Sequence, residues 1–309
     1  MGTPEFAKES LKSIYESGYD IVGVFTNPDK PSGRGLKLAF SPVKEYAISK
    51  NIPVFQPVKL KKNEEVLNIL KSLNPDIIAV VAYGKILPKE VLEIPKLGSI
   101  NVHGSLLPKY RGAAPMQWAI INGEQKTGIT TMFMDEGMDT GDMLLKEEIE
   151  IKKEDNFETI HDKMKELGAR LLVATLDKVV DGSYIRIKQP IEDVSIAPMI
   201  SKDMAKIDFS KSPNEIFNFV RGLCPFPAAF MVSSKGIRYK VYKVEPVEDE
   251  NIDIHIENGS VILLSKNAMH VKVQGGYIKI LKIQYPNSKK MDIASFLAGN
   301  KINIDEIFK

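Results

Sequence analysis

Helical periodicities alternate with short apolar runs through the first 186 residues of the chain. Apolar residues at steps of three and four predict helices, whereas short apolar runs between turn residues predict buried strands. The predicted helices start at Thr3-Pro4, Ser41-Pro42, Val66 and Asn156 and end near Gly18, Ser49, Leu73 and Gly182, and the predicted strands span 21–25, 54–55, 76–82, 99–102 and 127–133. This alternation favours a parallel sheet wrapped by helices.

A different pattern follows. Residues 187–203 contain Pro190 and Pro198 without any period, which is typical of an interdomain linker. Ser212 and Glu215 then form a capping box that opens a helix to residue 222. Runs at 238–244, 260–264, 269–273 and 277–283 predict short strands, and these favour a small barrel or a sandwich. We therefore expect domains at 1–186 and 204–309, joined by a linker at 187–203.

Composition narrows the class of protein. The chain has 309 residues, of which 43% are hydrophobic and 27% charged. This composition excludes disorder of the whole chain, and the length is sufficient for two domains, each with its own hydrophobic core. The single cysteine, Cys224, forms no internal disulfide and is typical of a reducing cytoplasm, with a structural thiol favoured over a nucleophile. No apolar run approaches the roughly 18 residues that span a bilayer, so we expect no membrane association.

The charge is small but uneven. The net charge is +2, yet Lys and Arg outnumber Asp and Glu by 18 to 14 after residue 185, against 24 to 26 before it. Six lysines and no acid lie between residues 259 and 290. Such a stretch suits a surface that follows nucleic-acid phosphates, although a solvated face has the same composition.

The strongest chemical signal lies in residues 99–115. Asn101 and His103 are two residues apart at the end of a predicted buried strand, so both side chains project to one side of the sheet. A lone histidine is commonly a satisfied structural residue. Gly104, Pro108 and Gly112 instead indicate a shaped loop above a binding site.

A glycine-rich acidic turn follows the predicted strand at 127–133. It contains Asp135, Glu136, Asp139 and Asp142. Calcium is one alternative, but the spacing does not reproduce an EF-hand loop and lacks its glutamate at the twelfth position. The other interpretation is a carboxylate that pairs with His103.

Several motifs together resemble one family. They are GTPEFA at 2–7, FTNPDKPSGRG at 25–35, VVAYGKILP at 80–88, NVHGSLLPKYRGAAP at 101–115, GMDTGDML at 137–144, KID at 206–208 and RGLCPFP at 221–227. Almost end to end, the chain is similar to the methionyl-tRNA formyltransferase family. The resemblance is specific, because relatives that formylate nucleotide precursors or sugars share the catalytic residues but not the GRG loop or the basic C-terminal domain.

The resemblance implies a fold, an activity and partners. The fold would be a Rossmann-like, mostly parallel α/β formyltransferase domain followed by a small OB-like β-barrel that binds tRNA. The activity would be formyl transfer from 10-formyltetrahydrofolate to initiator methionyl-tRNA, without a metal. Apart from the resemblance, we expect a monomer in the cytoplasm. Asn101, His103 and Asp139 match the three catalytic positions of the folate-dependent formyltransferases.

Two further sites are implied by the family. The folate would contact Ala82, Tyr83, Gly84, Ile86, Leu87, Ser105, Leu106, Leu107, Pro108, Asp135 and Gly137. The tRNA would contact Lys30, Arg34, Lys37, Lys202, Lys206, Lys266 and Lys272, the first three in a loop at 27–41 that resembles the family's acceptor-stem insertion.

The chemistry fits these assignments. The methionyl amine attacks the formyl carbon, and negative charge develops on the formyl oxygen. We expect the Asn101 amide and a protonated His103 to donate to that oxygen, while Asp139 orients the imidazole and helps to carry the amine proton out through water.

The chain departs from the family at its start. Family members carry an apolar strand immediately before the GTPEFA segment, so we expect Met1 to be an internal methionine of a longer natural chain. Three other classes remain: a glycinamide ribonucleotide formyltransferase, a non-catalytic RNA-binding protein and a nicotinamide dehydrogenase. The basic second domain disfavours the first, the intact Asn101, His103 and Asp139 disfavour the second, and the missing glycine fingerprint disfavours the third.

Overall fold

A computed structural model describes residues 1–32, 37–300, 302–304 and 306–309. The chain divides into two compact units. The first unit consists of Met1–Pro115, Lys126–Glu150 and His161–Pro198, and the second unit consists of Met116–Gln125, Ile151–Ile160 and Met199–Lys309. The predicted domain boundaries at 186 and 204 stay a prediction, but the residues up to Pro198 group with the first unit.

The first part of the chain alternates helices and strands as predicted. Its elements are α1 (Glu5–Glu16), β1 (Val24–Phe25), β2 (Lys30–Ser32), β3 (Lys37–Ala39), α2 (Pro42–Ser49), β4 (Val54–Phe55), α3 (Glu64–Leu73), β5 (Ile78–Val80), α4 (Lys89–Leu92), β6 (Ser99–His103), β7 (Arg111–Gly112), α5 (Pro115–Ile121), β8 (Lys126–Phe133), β9 (Met143–Glu150), α6 (Phe157–Asp181) and β10 (Ile196–Ala197). Helix α5 and the first turn of α6 belong mainly to the second unit.

Helix caps explain several of these boundaries. The Ser41 side chain accepts a hydrogen bond from the Lys44 amide, and Pro42 occupies the first turn of α2 as predicted. The prediction for α1 was wrong in detail: Pro4 itself is the N-cap, without a side-chain cap bond. The Thr3 hydroxyl is used elsewhere, because it accepts a hydrogen bond from the Asn27 amide.

The sheets of the first unit contain both parallel and antiparallel pairs. Strands β1 and β4 pair in parallel, β5 and β6 pair in parallel, and β8 and β9 continue the second group with antiparallel pairing. Strand β9 was not predicted because its second half contains no continuous apolar run; its alternating burial is typical of a strand with one solvated face. The expected α/β class is confirmed, and β8 and β9 are its antiparallel extension.

A buried apolar cluster stabilises this unit. Phe25, Val66, Leu70, Ile78 and Val80 belong to one buried cluster that joins α3 to the parallel strands. Burial of such side chains stabilises the fold by about 1.5–3 kcal/mol each.

The predicted loop at 27–41 contains an unpredicted hairpin, in which β2 pairs antiparallel with β3.

The second unit contains a helix against an antiparallel sheet. Its elements are a 3-10 turn (Asp203–Ala205), α7 (Pro213–Gly222), β11 (Ala229–Val232), β12 (Arg238–Glu248), β13 (Val261–Leu264), β14 (Met269–Val273), β15 (Gly276–Gln284), β16 (Met291–Asp292) and α8 (Ile293–Gly299). The predicted capping box of α7 is present, with Ser212 and Glu215 each bonded to the other's backbone amide. The strand order is β11-β12-β15-β14-β13, with β16 beside β15.

A single apolar core lies beneath this sheet. Strand β14 is buried along its whole length, and Ile216, Val220 and Phe296 from the helices pack in the same cluster. Cys224 belongs to the same unit, and burial raises the pKa of its thiol, which keeps the thiol protonated. Within the described residues, no helix has both the length and the apolar character needed to cross a bilayer.

The predicted linker at 187–203 is not a free connection. Ile187 exchanges two backbone hydrogen bonds with Met143, and β10 pairs in parallel with β7. Sequence alone suggested a linker because the stretch has no apolar period. Its order arises from pairing with residues that are distant along the chain.

Candidate active site

Strand β6 presents two of the predicted catalytic side chains. It lies between β5 and β8, and four of its five residues are buried. Because side chains alternate along a strand, Asn101 and His103 project from the same face. His103 is only 5% exposed, whereas Asn101 is half-buried. The predicted pairing of these two residues on one face of the sheet is therefore present.

The turn after β8 brings the third side chain to them. Asp139 has a φ of 56°, a left-handed conformation that glycine adopts most readily and that Asn and Asp adopt more often than other residues. One carboxylate oxygen, Oδ2, accepts a hydrogen bond of 2.8 Å from the Gly112 amide and lies 3.6 Å from Nδ1 of His103. The other, Oδ1, lies 3.5 Å from the Asn101 amide nitrogen. The three side chains meet at one place, and their catalytic roles stay a prediction.

The His103 ring is held at both of its nitrogens. Nε2 lies 2.9 Å from the Tyr110 carbonyl oxygen, which can only accept, so Nε2 carries a hydrogen. Nδ1 faces the Asp139 carboxylate, and that contact becomes attractive when Nδ1 is protonated as well. This arrangement fixes the ring's orientation. It also differs from the expectation that His103 donates directly to the formyl oxygen, because both nitrogens already face protein groups.

A network of short polar contacts shapes the loop after β6. The Thr130 hydroxyl donates to the Ser105 carbonyl oxygen at 2.8 Å and accepts from the Leu107 amide at 3.1 Å. The Lys146 ammonium donates to the Leu107 carbonyl oxygen at 2.7 Å. The Ser105 hydroxyl donates to the Lys109 carbonyl oxygen at 2.6 Å. The backbone beside His103 is therefore set by β8 and β9.

The predicted folate residues fall into two groups. The side chains that lie inside the protein are those of Tyr83, Leu87, Ser105, Leu107 and Pro108, and the residues that are exposed or half-buried are Ala82, Gly84, Ile86, Leu106, Asp135 and Gly137. Burial raises the pKa of Tyr83 to about 12, so its hydroxyl stays protonated. The five buried residues therefore expose little of either side chain or backbone to a ligand.

Asp135 is occupied within its own turn. Its Oδ1 accepts hydrogen bonds from the Gly137 amide at 3.0 Å and from the Thr140 hydroxyl at 2.7 Å. A Cβ at Gly137 would lie 2.0 Å from that hydroxyl, so alanine there would displace the Thr140 side chain from Asp135. The acidic turn is thus closed by its own residues, and among the described residues no group of three His, Cys, Asp or Glu side chains could hold a metal ion.

The predicted tRNA lysines differ in exposure. Lys30, Lys202, Lys206 and Lys266 are exposed, while Arg34 and the side chain of Lys37 lie outside the described residues. The prediction for Lys272 was wrong. This residue is 5% exposed, and its ammonium donates to Asn258 Oδ1 at 3.1 Å and to the Val273 carbonyl oxygen at 3.0 Å. A lysine that satisfies internal acceptors is not part of a phosphate-binding surface.

Sequence reasoning missed Gln189, which contacts the backbone of the Asp139 turn. Its Nε2 donates to the carbonyl oxygens of Asp139 and Gly141, each at 2.8 Å. A polar residue in an aperiodic stretch has no signal of its own. The adjacent Pro190 is typical of a linker and does not indicate a contact with the site.

Two family models match the chain. Residues 1–176 match the model described as formyl transferase, and residues 199–301 match the formyl transferase C-terminal domain. The triad on β6 and the Asp139 turn lie inside the first match. The fold and the site therefore define the class, which is that of the formyl transferases.

Curated relatives narrow this class. The methionyl-tRNA formyltransferase of Caldanaerobacter subterraneus subsp. tengcongensis is 50% identical over 312 residues, which cover 100% of this chain and 98% of that protein. The methionyl-tRNA formyltransferase of Clostridioides difficile is 50% identical over 98% of this chain and 96% of its own length. The chain belongs to the methionyl-tRNA formyltransferase family.

Solved structures of lower identity share the fold. A sugar 3N-formyl transferase, WlaRD, crystallised in the presence of dTDP and 5-N-formyl-THF, has a TM-score of 0.67 at 21% identity and covers 93% of this chain and 97% of its own. An N-formyltransferase from Helicobacter canadensis, in complex with folinic acid and dTDP-3-aminofucose, has a TM-score of 0.66 at 20% identity, with 94% and 97% covered. At this identity the likeness concerns the fold alone.

Proposed function

We propose that this protein transfers the formyl group of 10-formyltetrahydrofolate to the amino group of methionine attached to initiator tRNA. The observation that carries the proposal is the convergence of Asn101, His103 and Asp139 at the end of a buried strand, in a chain that is about half identical to named methionyl-tRNA formyltransferases. The reaction would take place in the cytoplasm, where translation is initiated, and we expect the active protein to be a monomer.

The proposed chemistry uses each of the three side chains. The neutral amine attacks the formyl carbon, a carbon–nitrogen bond forms, and the formyl oxygen becomes anionic before the bond to the folate nitrogen breaks. The Asn101 amide nitrogen carries two hydrogens, and the long contact to Asp139 uses only one of them. We assign the second to the anionic oxygen, where loss of one donor typically costs about 10² to 10³ in rate.

Proton movement falls to the other two residues. The amine must lose a proton and the departing folate nitrogen must gain one, so the reaction is balanced without any further reactant. His103 Nδ1 and the Asp139 carboxylate form a pair that can accept and return that proton, directly or through water. The Tyr110 carbonyl oxygen keeps the ring in place during the exchange.

Residues of the first unit fit a folate. Ile86 is exposed and Leu106 is half-buried, so both offer apolar surface to a pterin. The exposed backbone at Ala82 and Gly84, both at positive φ, offers polar groups for its ring nitrogens and oxygen. We propose that these residues hold the donor, while Tyr83, Leu87 and Leu107 support them from inside.

For the second unit we propose tRNA binding on an OB-like barrel. Support for the barrel comes from the chain end, where Ile307 and Phe308 pair with Ser260 and Ser233, which adjoin strands β13 and β11. Exposed Lys202, Lys206 and Lys266 of the same unit, with Lys30 and Arg34 from the loop at 27–41, are the proposed phosphate contacts.

One assay tests the function. The purified protein is incubated with 10-formyltetrahydrofolate and methionyl initiator tRNA, and formylmethionine is measured after the ester is hydrolysed. We expect formylation of this substrate, and little of methionyl elongator tRNA or of glycinamide ribonucleotide. Preference for a free nucleotide or sugar amine would refute the proposal.

The triad is tested by His103→Ala, with His255→Ala as the matched control on an exposed histidine. We expect kcat to fall by about 10² to 10⁴ for the first variant and to stay unchanged for the second, because proton transfer by a positioned side chain contributes that much. Thermal unfolding of both variants checks that the fold persists. An unchanged kcat in His103→Ala would contradict the assignment.

A further inference from the structure

Residues 177–198 lie outside both of the ranges that match family models. Part of this segment was interpreted from sequence as a linker, yet it is ordered against the first unit. Ile187 pairs with Met143 at the start of β9, and β10 pairs with β7. Both partners flank the site: Met143 follows the Asp139 turn, and β7 follows the loop that begins at His103.

Between these two attachment points lies Gln189, whose side chain contacts both the Asp139 turn and β7. Its amide nitrogen donates to the carbonyl oxygens of Asp139 and Gly141, both at 2.8 Å. Its amide oxygen accepts from Arg111, at 3.0 Å from Nε and 2.6 Å from Nη2. The nitrogen has two hydrogens and the oxygen two lone pairs, so all four hydrogen-bonding positions of the amide are filled. A fully satisfied, half-buried amide of this kind has a single orientation.

The same segment also supports the group that orients His103. The Ser195 hydroxyl accepts from the Tyr110 amide at 2.9 Å, and the Ser195 carbonyl oxygen accepts from the Arg111 amide at 2.8 Å. The Tyr110 carbonyl oxygen in turn receives Nε2 of His103. Residues 189–195 therefore contact both the Asp139 turn and the residue that bonds to His103.

Glycine at position 112 makes the close approach possible. Gly112 has a φ of +124°, and a Cβ there would lie 2.7 Å from the Ala197 carbonyl oxygen. Its amide is the donor to Asp139 Oδ2. Gly112 thus connects the β7–β10 pairing to the carboxylate of Asp139.

We propose that Gln189 is a positioning residue that holds Asp139 in its left-handed conformation, with its carboxylate facing His103. The inference rests on the proposed function of the triad. The left-handed region is less favourable than the right-handed one even for aspartate, and Gln189 donates two hydrogen bonds to carbonyl oxygens of this turn. Displacement of a reacting group by about 1 Å can lower the rate by about 10²-fold.

The kinetic test uses Gln189→Ala and Gln189→Glu. Glutamate has nearly the same shape and its carboxylate can accept from Arg111, so we expect the fold to be retained, but it cannot donate to the two carbonyl oxygens. We expect kcat to fall about 10-fold to 100-fold in both variants, with KM for the folate changed by less than about threefold. Gln274→Ala, at an exposed glutamine in the β14–β15 turn, is the matched control and should keep wild-type kcat.

A double-mutant cycle separates positioning from general stability. If Gln189 acts through Asp139, then Gln189→Ala should cost less than about twofold in kcat when Asp139 is already alanine. A full additional loss in the Asp139→Ala background would overturn the proposal. So would a wild-type kcat in Gln189→Ala.

A spectroscopic readout does not depend on turnover. The imidazole ¹⁵N signals of His103 should shift in Gln189→Ala in the same direction as in Asp139→Ala, and by at least half as much, because both changes remove the carboxylate from Nδ1. Unchanged signals would overturn the positioning role even if the wild-type protein failed to formylate methionyl-tRNA. That failure alone would instead overturn the proposed function.

Discussion

Gly141→Ala is the substitution that probes the catalytic turn most directly. A Cβ at this position would lie 1.8 Å from the Phe133 carbonyl oxygen and 2.9 Å from its carbon. Gly141 is not among the glycines with positive φ, so the obstacle is space and not backbone conformation. The obstructing atoms belong to the end of β8 and cannot swing away as a side chain does.

The size of the effect follows from this distance. An ordinary contact begins at 3.4 Å, so the turn and the end of β8 must separate by about 1.6 Å. The Phe133 amide donates to the Asp142 carbonyl oxygen at 2.9 Å, and Gln189 bonds to Gly141 itself, so this movement breaks hydrogen bonds and carries Asp139 away from His103. We expect kcat to fall by about 10²-fold or more, and the free energy of unfolding to fall by about 1–3 kcal/mol, as for other overpacked sites.

The assay measures kcat for formylation of methionyl initiator tRNA, together with thermal unfolding. Gly299→Ala is the matched control, because Gly299 ends α8 and a Cβ there has nothing within 4 Å. That variant should keep its kcat and its unfolding temperature, since the added Cβ meets no neighbouring atom. If Gly141→Ala keeps kcat within about threefold of the wild type, the turn is not held as tightly as the distances imply.

Three further predictions concern the second unit. Ser212→Ala removes half of a capping box and should lower the free energy of unfolding by about 1 kcal/mol, measured by urea denaturation; no change would mean that the cap is not stabilising. Burial, with a smaller contribution from a nearby lysine, lowers the pKa of His270 from its usual 6.5. As the pH falls below 6.5, the unfolded state binds a proton at His270 while the folded state keeps the ring neutral, so the free energy of unfolding falls. His270→Gln should make the free energy of unfolding less dependent on pH between pH 7 and 5. The double variant Lys202→Ala, Lys206→Ala should raise KM for tRNA, and each substitution should lower the slope of log KM against log salt concentration by about one. Lys235→Ala, at another exposed lysine, should change neither quantity.

Local sequence patterns predicted most of the elements. The cap at Ser41 and the capping box at Ser212 mark helix starts because a side-chain oxygen satisfies an amide within three residues. The apolar runs that became β5 and β6 lie between turn residues, and Asn101 and His103 share a face because the side-chain period of a strand is two. Such features depend on residues that are close in the chain, so a reader of the sequence can find them.

Tertiary structure decided the remainder. Whether β8 pairs parallel or antiparallel, and whether Lys272 reaches solvent or Asn258, depends on partners that local pattern does not specify. Gln189 looked like part of a linker because it has no apolar period, and only the folded chain brings it to the Asp139 turn, 50 positions away. The sequence by itself determined which residue types are available for formyl transfer and which strand presents two of them. How those residues are held was determined by long-range hydrogen bonds, which form only when folding brings both partners together.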